Sequence, residues 1–492
     1  MSDPAQDSGE GLREKAVRGV AWSAARNWGS RAINFVVFAV LANMLATEAF
    51  GLVALAGAYI AFVRVFVDQG FADAIIQRDT LSDAHRDTAF WVNLGLSVVF
   101  TAASIGAAPW IAQLFDAPNL ADVIIWLSPS FVLAALSGVQ EALFERNLDY
   151  QTLAVREFVA ALVGGTVGVT MAFSGFGVYS LVGMLLAERT AAVVVLWTAS
   201  PWRPGARIRM QPFRDLFAFG INVVGSNLLG YVNRRADNLI IGYALGAGPL
   251  GFYEVAYQLF MAATHLITNA VSSVAFSTFS RMQSDPARMR QGFYTATRMV
   301  CLVAFPAFLG AALVAPELIG TVFGEKWLPL TAQTFQVLAF VGVLHAAFYF
   351  NAAVMMASGK PQWRLMISAI NAVTNVAAFA VAVQWGIVAV AAAFVLQSYI
   401  FAPLPLVLVR RLIRIEWGAY FSAYGPPLLG TLAIAAVVVA TRWGLGGAGG
   451  DIAVLAISIP LGAIAYVGTI WLVARDRIQQ VQRLIVSLLP TQ

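Results

Sequence analysis

Cysteine is nearly absent. Of 492 residues only Cys301 carries a thiol, which excludes a disulfide framework and any cysteine-built metal site. Histidine is almost as scarce: His85, His265 and His345 lie far apart in the chain, which argues against a metal cluster, and no cofactor is expected. Charge is the third shortage. Asp, Glu, Lys and Arg make up 12% of the chain against 59% hydrophobic residues, with a mean hydropathy of +0.74. Soluble domains carry about 25% charged residues, so the long apolar segments here are expected to face lipid. The pI near 9.4 comes from bases in short connections, not from a basic stripe interleaved with aromatics, so nucleic-acid binding is excluded. Met1 to Glu10 is polar and acidic, with no cleavable leader expected before Leu12.

What the chain does have is apolar runs of 20 residues or more. Strands of a barrel would alternate, so these runs predict helices and an all-α, polytopic membrane protein. Fourteen transmembrane helices are expected, near 17–46, 50–68, 86–114, 119–145, 151–173, 177–199, 213–245, 249–280, 292–323, 331–357, 363–385, 387–409, 419–442 and 452–474. Pro306 and Pro316 both fall inside the ninth, where a kink that serves gating competes with a simple packing irregularity that weighs at least as much. Basic residues set the orientation. The connections on the amino-terminal side carry 23, and the opposite side carries only Lys326 and Arg442, which places both termini in the cytoplasm. The tail 475–492 alternates bases with Ile478, Val481, Leu484 and Leu488, the pattern of an interfacial amphipathic helix.

An offset of about 200 residues relates two parts of the chain. Leu45-Ala46-Thr47-Glu48-Ala49-Phe50-Gly51 aligns with Leu245-Gly246-Ala247-Gly248-Pro249-Leu250-Gly251, Ala108-Pro109 with Ala315-Pro316, and Gly177-Val178-Tyr179 with Gly386-Ile387-Val388. The expected organisation is a tail 1–16, a six-helix lobe 17–200, a linker 201–212, a second six-helix lobe 213–411, two further helices in 412–474, and the amphipathic tail. Six spans per unit is even, so the lobes share one orientation around a central cavity.

Six arginines lie inside these spans: Arg26, Arg31, Arg64, Arg189, Arg234 and Arg235. Each costs roughly 3 kcal/mol at bilayer depth and cannot shed its charge. Several together imply a wet, cationic interior that moves something large and anionic.

The run Phe50-Gly51-Leu52-Val53-Ala54-Leu55-Ala56, then Asp68-Gln69-Gly70-Phe71-Ala72-Asp73-Ala74-Ile75-Ile76-Gln77-Arg78, then Thr88-Ala89-Phe90-Trp91-Val92-Asn93-Leu94 and Glu145-Arg146-Asn147-Leu148-Asp149-Tyr150 resembles the Wzx-like polysaccharide transporter branch of the MATE-like exporter superfamily. Asn43 and Thr47 depart from that pattern, where an arginine and a proline are usual. The resemblance implies a flippase in the bacterial inner membrane. It would carry an undecaprenyl-diphosphate-linked oligosaccharide from the cytoplasmic to the periplasmic leaflet by alternating access. It further implies membrane lipids as surroundings, a polysaccharide polymerase and a chain-length regulator as partners, and function as a monomer.

For such a cargo Arg26, Arg31, Arg64, Arg234 and Arg235 are the candidate diphosphate ligands, because a guanidinium fork makes two parallel charge-assisted bonds to phosphate. Arg64 with Asp68 and Arg234 with Asp237 are also spaced as intrahelical pairs, so a structural role competes. Trp28, Asn227, Tyr231 and Asn238 could meet sugars; for the asparagines, helix–helix hydrogen bonding weighs about equally. Asp68, Glu141, Glu188, Asp237 and His265 are the ion-coupling candidates, although Glu188-Arg189 reads first as a structural pair. Nothing in the sequence chooses among proton, sodium ion and membrane potential as driver. Glu254 is expected to be solvated near a helix end.

Three other functions compete. A cation/drug antiporter would want carboxylates where these arginines are. A peptidoglycan-precursor flippase would share the cationic helices, and the quoted motifs favour the exopolysaccharide branch over it. A membrane polymerase or ligase would need a sizeable external loop, which this chain lacks.

Overall fold

The structure, a computed structural model, describes residues 29–474 apart from 69, 79, 207–209, 283–284 and 446–449. All regular secondary structure among them is helical. Eleven helical stretches are long and apolar enough to cross a membrane by length and composition. The chain is therefore an all-helical membrane protein. The tail 475–492 and the first part of the expected first helix lie outside the described residues.

Residues Met1–Gly251 form one compact unit. Its helices are α1 (Gly29–Met44), α2 (Thr47–Asp68), α3 (Phe71–Gln77), α4 (Asp83–Leu114), α5 (Asn119–Leu127), α6 (Ser130–Arg146), α7 (Tyr150–Phe173), α8 (Val178–Ala199), α9 (Met210–Leu245) and the start of α10 (Ala247–Arg281). The expected span 119–145 is thus two helices, broken at Ser128-Pro129, where a proline cannot supply the next amide hydrogen. The helix expected to open a second lobe, α9, packs against α2, α3 and α4 inside this unit.

Small residues decide how closely these helices approach. A methyl group at Gly164 would sit 2.9 Å from Glu188 Cβ and from the Met184 carbonyl, and one at Gly168 2.8 Å from Met184 Cβ. The α7 backbone therefore lies directly on α8, as small residues permit in a lipid setting where dispersion rather than water exclusion drives packing. Gly51 and Gly251 make the tightest approach. A Cβ at Gly51 would fall 1.7 Å from the Ala247 carbonyl oxygen, and one at Gly251 1.9 Å from that of Thr47. Thr47 and Ala247, like Gly51 and Gly251, are equivalent positions in the internal repeat, so the contact is reciprocal.

The quoted family motifs account for one end of this unit. Gly70, at φ 67°, takes the left-handed turn between α2 and α3 that a side chain would strain. Phe71, Ala74 and Ile75 then bury against Ala89, Phe90, Val139 and Ala142. The Arg146 guanidinium caps the last carbonyls of α3, donating to Ile75 at 2.8 Å and Ile76 at 3.2 Å. Asp149 caps α7, accepting from the Thr152 amide at 3.1 Å and its hydroxyl at 2.8 Å. Motif residues and backbone capping thus hold α3 against α4 and α6 and start α7.

Residues Phe252–Gln492 form the other unit. It continues α10 and adds α11 (Pro286–Leu313), α12 (Ala315–Phe323), α13 (Leu330–Phe348), α14 (Asn351–Ala357), α15 (Pro361–Ala382), α16 (Ile387–Phe401), α17 (Pro403–Ile413), α18 (Trp417–Phe421), α19 (Gly425–Leu445) and α20 (Gly450–Val473). Pro316 does not kink a continuous ninth helix. The helix ends at Val314, and Pro316 stands in the first turn of α12, where its missing amide hydrogen costs nothing. Glu254, expected to be solvated, is instead 7% exposed and accepts from Gln258 Nε2 at 2.7 Å. Cys301 is fully buried within α11.

Arg442 is the base in the last turn of α19. Its Nε and Nη2 donate to the two carboxylate oxygens of Glu317 on α12 at 2.6 and 2.7 Å, and Nη2 also reaches the Leu313 carbonyl at 2.7 Å. The fork ties α19 to the α11–α12 break. Because the Arg442 side chain is 40% exposed, screening trims its worth. Glu317→Ala is expected to cost about 1–2 kcal/mol, read as a fall of about 2–4 °C in Tm in detergent. An unchanged Tm would remove this clamp from the stability account.

Candidate functional site

A cavity of about 530 Å³ lies within the first unit, lined from α1, α2, α3, α4, α6, α7, α8 and α9. Four arginines reach it: Arg31, Arg64, Arg156 and Arg189. Five carboxylates do as well: Asp73, Glu141, Glu145, Glu157 and Glu188. Charges this dense in a helical bundle need water or a ligand, since lipid offers them no partner.

Each wall is placed by the packing just described. Gly70 turns the chain so that Ala72 and Asp73 face the cavity while Phe71 faces the core. The α7–α8 approach at Gly164 sets Glu188 at the wall, and Arg189 follows it. Gly165 lets Val37 of α1 press onto α7, bringing the helix that carries Arg31 against the same wall.

The charges are not equivalent. Arg156 is engaged: its Nη1 lies 2.7 Å from Glu141 Oε2, and its Nη2 lies 3.4 Å from Glu157 Oε1. By contrast Arg31 Nη1, Ser30 Oγ and Asn93 Oδ1 are buried with no hydrogen-bond partner among the described residues. All three residues line the cavity. Arg31 Nη1 and Ser30 Oγ can donate and Asn93 Oδ1 can only accept, so this corner holds both unmet donors and an unmet acceptor among the described residues.

Of the residues singled out in the sequence, Arg31, Arg64, Asn227, Glu141 and Glu188 line this cavity. Arg26 and Trp28 lie outside the described residues, as does the Asp68 side chain. The remaining α9 candidates sit elsewhere. Tyr231 is buried with its ring 5.5 Å from Phe62, Asp237 and Asn238 are buried, and Asp237 Oδ1 accepts from the Asn238 amide at 2.8 Å. Arg234 lies along its own helix over Gly230, and neither it, Arg235 nor the exposed His265 of α10 lines this cavity. Two cavity arginines were not among the headgroup candidates. Arg189 read as the structural partner of Glu188, and Arg156 was only one of the 23 bases counted in connections. A signal was present in the second case: Glu141, Glu145, Arg156 and Glu157 bracket one short turn, as charged groups facing a common space would.

The sequence pattern of the family described as polysaccharide biosynthesis protein matches residues 40–332, more than half of the chain and nearly all of this cavity. The chain belongs to that family. Among polysaccharide biosynthesis proteins, it is 26% identical over 427 residues to the teichuronic acid biosynthesis protein TuaB of Bacillus subtilis (strain 168), covering 86% of this chain and 88% of the relative. It is 28% identical over 351 residues to the lipopolysaccharide biosynthesis protein WzxC of Escherichia coli (strain K12), covering 71% of each. The family fold has a solved counterpart. The lipid II flippase MurJ in an inward closed conformation superposes with a TM-score of 0.79 at 13% identity, over 93% of this chain and all of MurJ. That likeness is one of fold.

Proposed function

We propose that this protein flips a lipid-linked oligosaccharide by binding its diphosphate in the cavity of the first unit. The chain is a membrane transporter of the polysaccharide-biosynthesis flippase kind, not an enzyme. One observation carries the choice of site. Arg31, Arg64 and Arg189 converge from α1, α2 and α8 on one cavity, with a buried Arg31 nitrogen lacking an acceptor among the described residues. Two linked phosphates offer several anionic oxygens, which is what guanidinium forks fit best.

In this reading the cargo is undecaprenyl-diphosphate-linked and moves from the cytoplasmic to the periplasmic leaflet of the bacterial inner membrane. Both termini are cytoplasmic, following the excess of bases on that side. Fourteen spans arise when α1, α9 and α10 join the eleven strongly apolar stretches, in two six-helix lobes with α19 and α20 beyond them. Asn227, lying on the cavity wall, meets the first sugars. The lobes then rock between inward- and outward-open states that differ little in free energy, so that cargo can both enter and leave. The test is a proteoliposome assay with a fluorescent undecaprenyl-diphosphate oligosaccharide. Protein-dependent transfer between leaflets is expected. Equal transfer with and without protein would end the proposal.

A further inference from the structure

The third quoted motif, Thr88 to Leu94, lies early in α4. Ala89 and Phe90 bury in the core, Val92 and Leu94 pack against it, and Trp91 Nε1 donates to the Gly205 carbonyl at 2.8 Å. Asn93 serves neither purpose. Of that run, whose residues are all described, it alone lines the cavity. Its Oδ1 is buried with no partner among the described residues.

That oxygen sets a condition the guanidiniums do not. Arg31 Nη1 only donates, and phosphate oxygens suit it. Ser30, 7% exposed, has a hydroxyl that gives or takes, so it decides nothing. Asn93 Oδ1 only accepts, and so does an ionised diphosphate. A diphosphate alone therefore leaves Asn93 unmet. The cargo that suits both residues carries an O–H or N–H donor beside its phosphates, as sugar hydroxyls and acetamido groups do.

The walls divide in the same sense. Arginines enter from α1, α2, α7 and α8, whereas the lining side chains described on α4 and α9, which pack on each other, are the neutral amides of Asn93 and Asn227. The volume of 530 Å³ falls within the range of about 300–1,000 Å³ found for sites that enclose a small ligand, which gives a diphosphate room to bring its sugar.

We propose that Asn93 reads the sugar attached to the diphosphate: it accepts a hydrogen bond from a hydroxyl or acetamido N–H of that sugar, so the site selects the glycosylated carrier over the bare lipid diphosphate. The inference rests on the diphosphate reading above and adds its selectivity. A ligand that fills the cavity displaces water from Asn93 Oδ1, and only a donor on the ligand replaces the lost bond. Glycosyl transfer onto the carrier therefore precedes flipping, and carrier lipid without a sugar competes poorly for the site.

Binding to the full-length protein in detergent at pH 8 tests this with two probes, farnesyl diphosphate and farnesyl diphosphate carrying N-acetylglucosamine. At that pH the terminal phosphate of the bare ester, with a second pKa of about 6, is ionised and donates nothing. The probes differ in charge, so the readout is the ratio of their Kd values within each variant, in which a general loss of affinity cancels. Asn93→Leu keeps the side chain's bulk and removes its acceptor. Its preference for the sugar-bearing probe should fall about tenfold below the wild type's, the cost of burying a sugar donor with no acceptor. Asn93→Asp keeps an acceptor and should hold most of the wild-type ratio, although its charge weakens both probes. A ratio that falls as far in Asn93→Asp as in Asn93→Leu would make Asn93 a structural residue and overturn the proposal. Equal ratios in wild type and Asn93→Leu, with both probes bound, would overturn the sugar reading and leave the diphosphate site standing. No binding of either probe by the wild type would overturn both. Where Asn93→Leu elutes aggregated, Asn93→Ala takes its place under the same outcomes.

Discussion

Alanine at both Arg31 and Arg64 is expected to lower lipid-diphosphate affinity at least a hundredfold while leaving the folded protein intact. Each arginine would contribute charge-assisted bonds of about 1.5–3 kcal/mol to a phosphate, and 1.4 kcal/mol is a factor of ten. Loss of two such ligands removes about 3 kcal/mol at the least. Both line the cavity, and Arg31 leaves one nitrogen without an acceptor among the described residues. Binding of farnesyl diphosphate and the leaflet-transfer assay should therefore fail together at normal expression and Tm. Full transfer by the double variant would take these residues out of the mechanism.

A second large effect is expected from Gly51→Val. Its new Cβ would meet the Ala247 carbonyl oxygen at 1.7 Å, and a backbone oxygen cannot rotate aside as a side chain can. The start of α2 and the start of α10 would have to separate. Overpacking of this kind costs about 1–3 kcal/mol in ordinary cores, and a clash with main chain sits at the upper end. Gly57→Ala is the control on the same helix, since nothing lies within 4 Å of that position. It should be neutral or stabilise by about 0.5–1 kcal/mol, as alanine does in place of glycine inside a helix. Thermal unfolding of the two variants in detergent decides the matter. Equal Tm values would show that the contact is looser than its geometry states.

How much of this could be read from the chain follows from what helices in lipid reveal. Hydropathy located the eleven long apolar helical stretches, because an unsatisfied backbone in a bilayer leaves no alternative. It could not see the breaks at Ser128-Pro129, Val314 and Ala402-Pro403, where a short kinked connection is as apolar as the helices on either side. The repeat was legible from Gly51 and Gly251, and those equivalent positions are the ones that interlock. Arg31 and Arg64 were recognisable as cavity residues because a guanidinium at that depth needs water or an anion beside it. Arg156 was not, since a base near a helix start is ordinary and its ion pair depends on the Glu141 that α6 places opposite. The polar stripe of α9 misled in part. Asp237 and Asn238 are buried away from the cavity, and of the stripe's described side chains only Asn227 lines it.

The lone thiol of Cys301, fully enclosed in α11, has a practical consequence. Water-soluble maleimides find no native target in the folded protein, so no cysteine-free background has to be made first. A single cysteine introduced at Ser30 or Asn227 would report, by labelling from one face of a sealed vesicle and then the other, which aqueous compartment the chamber opens to.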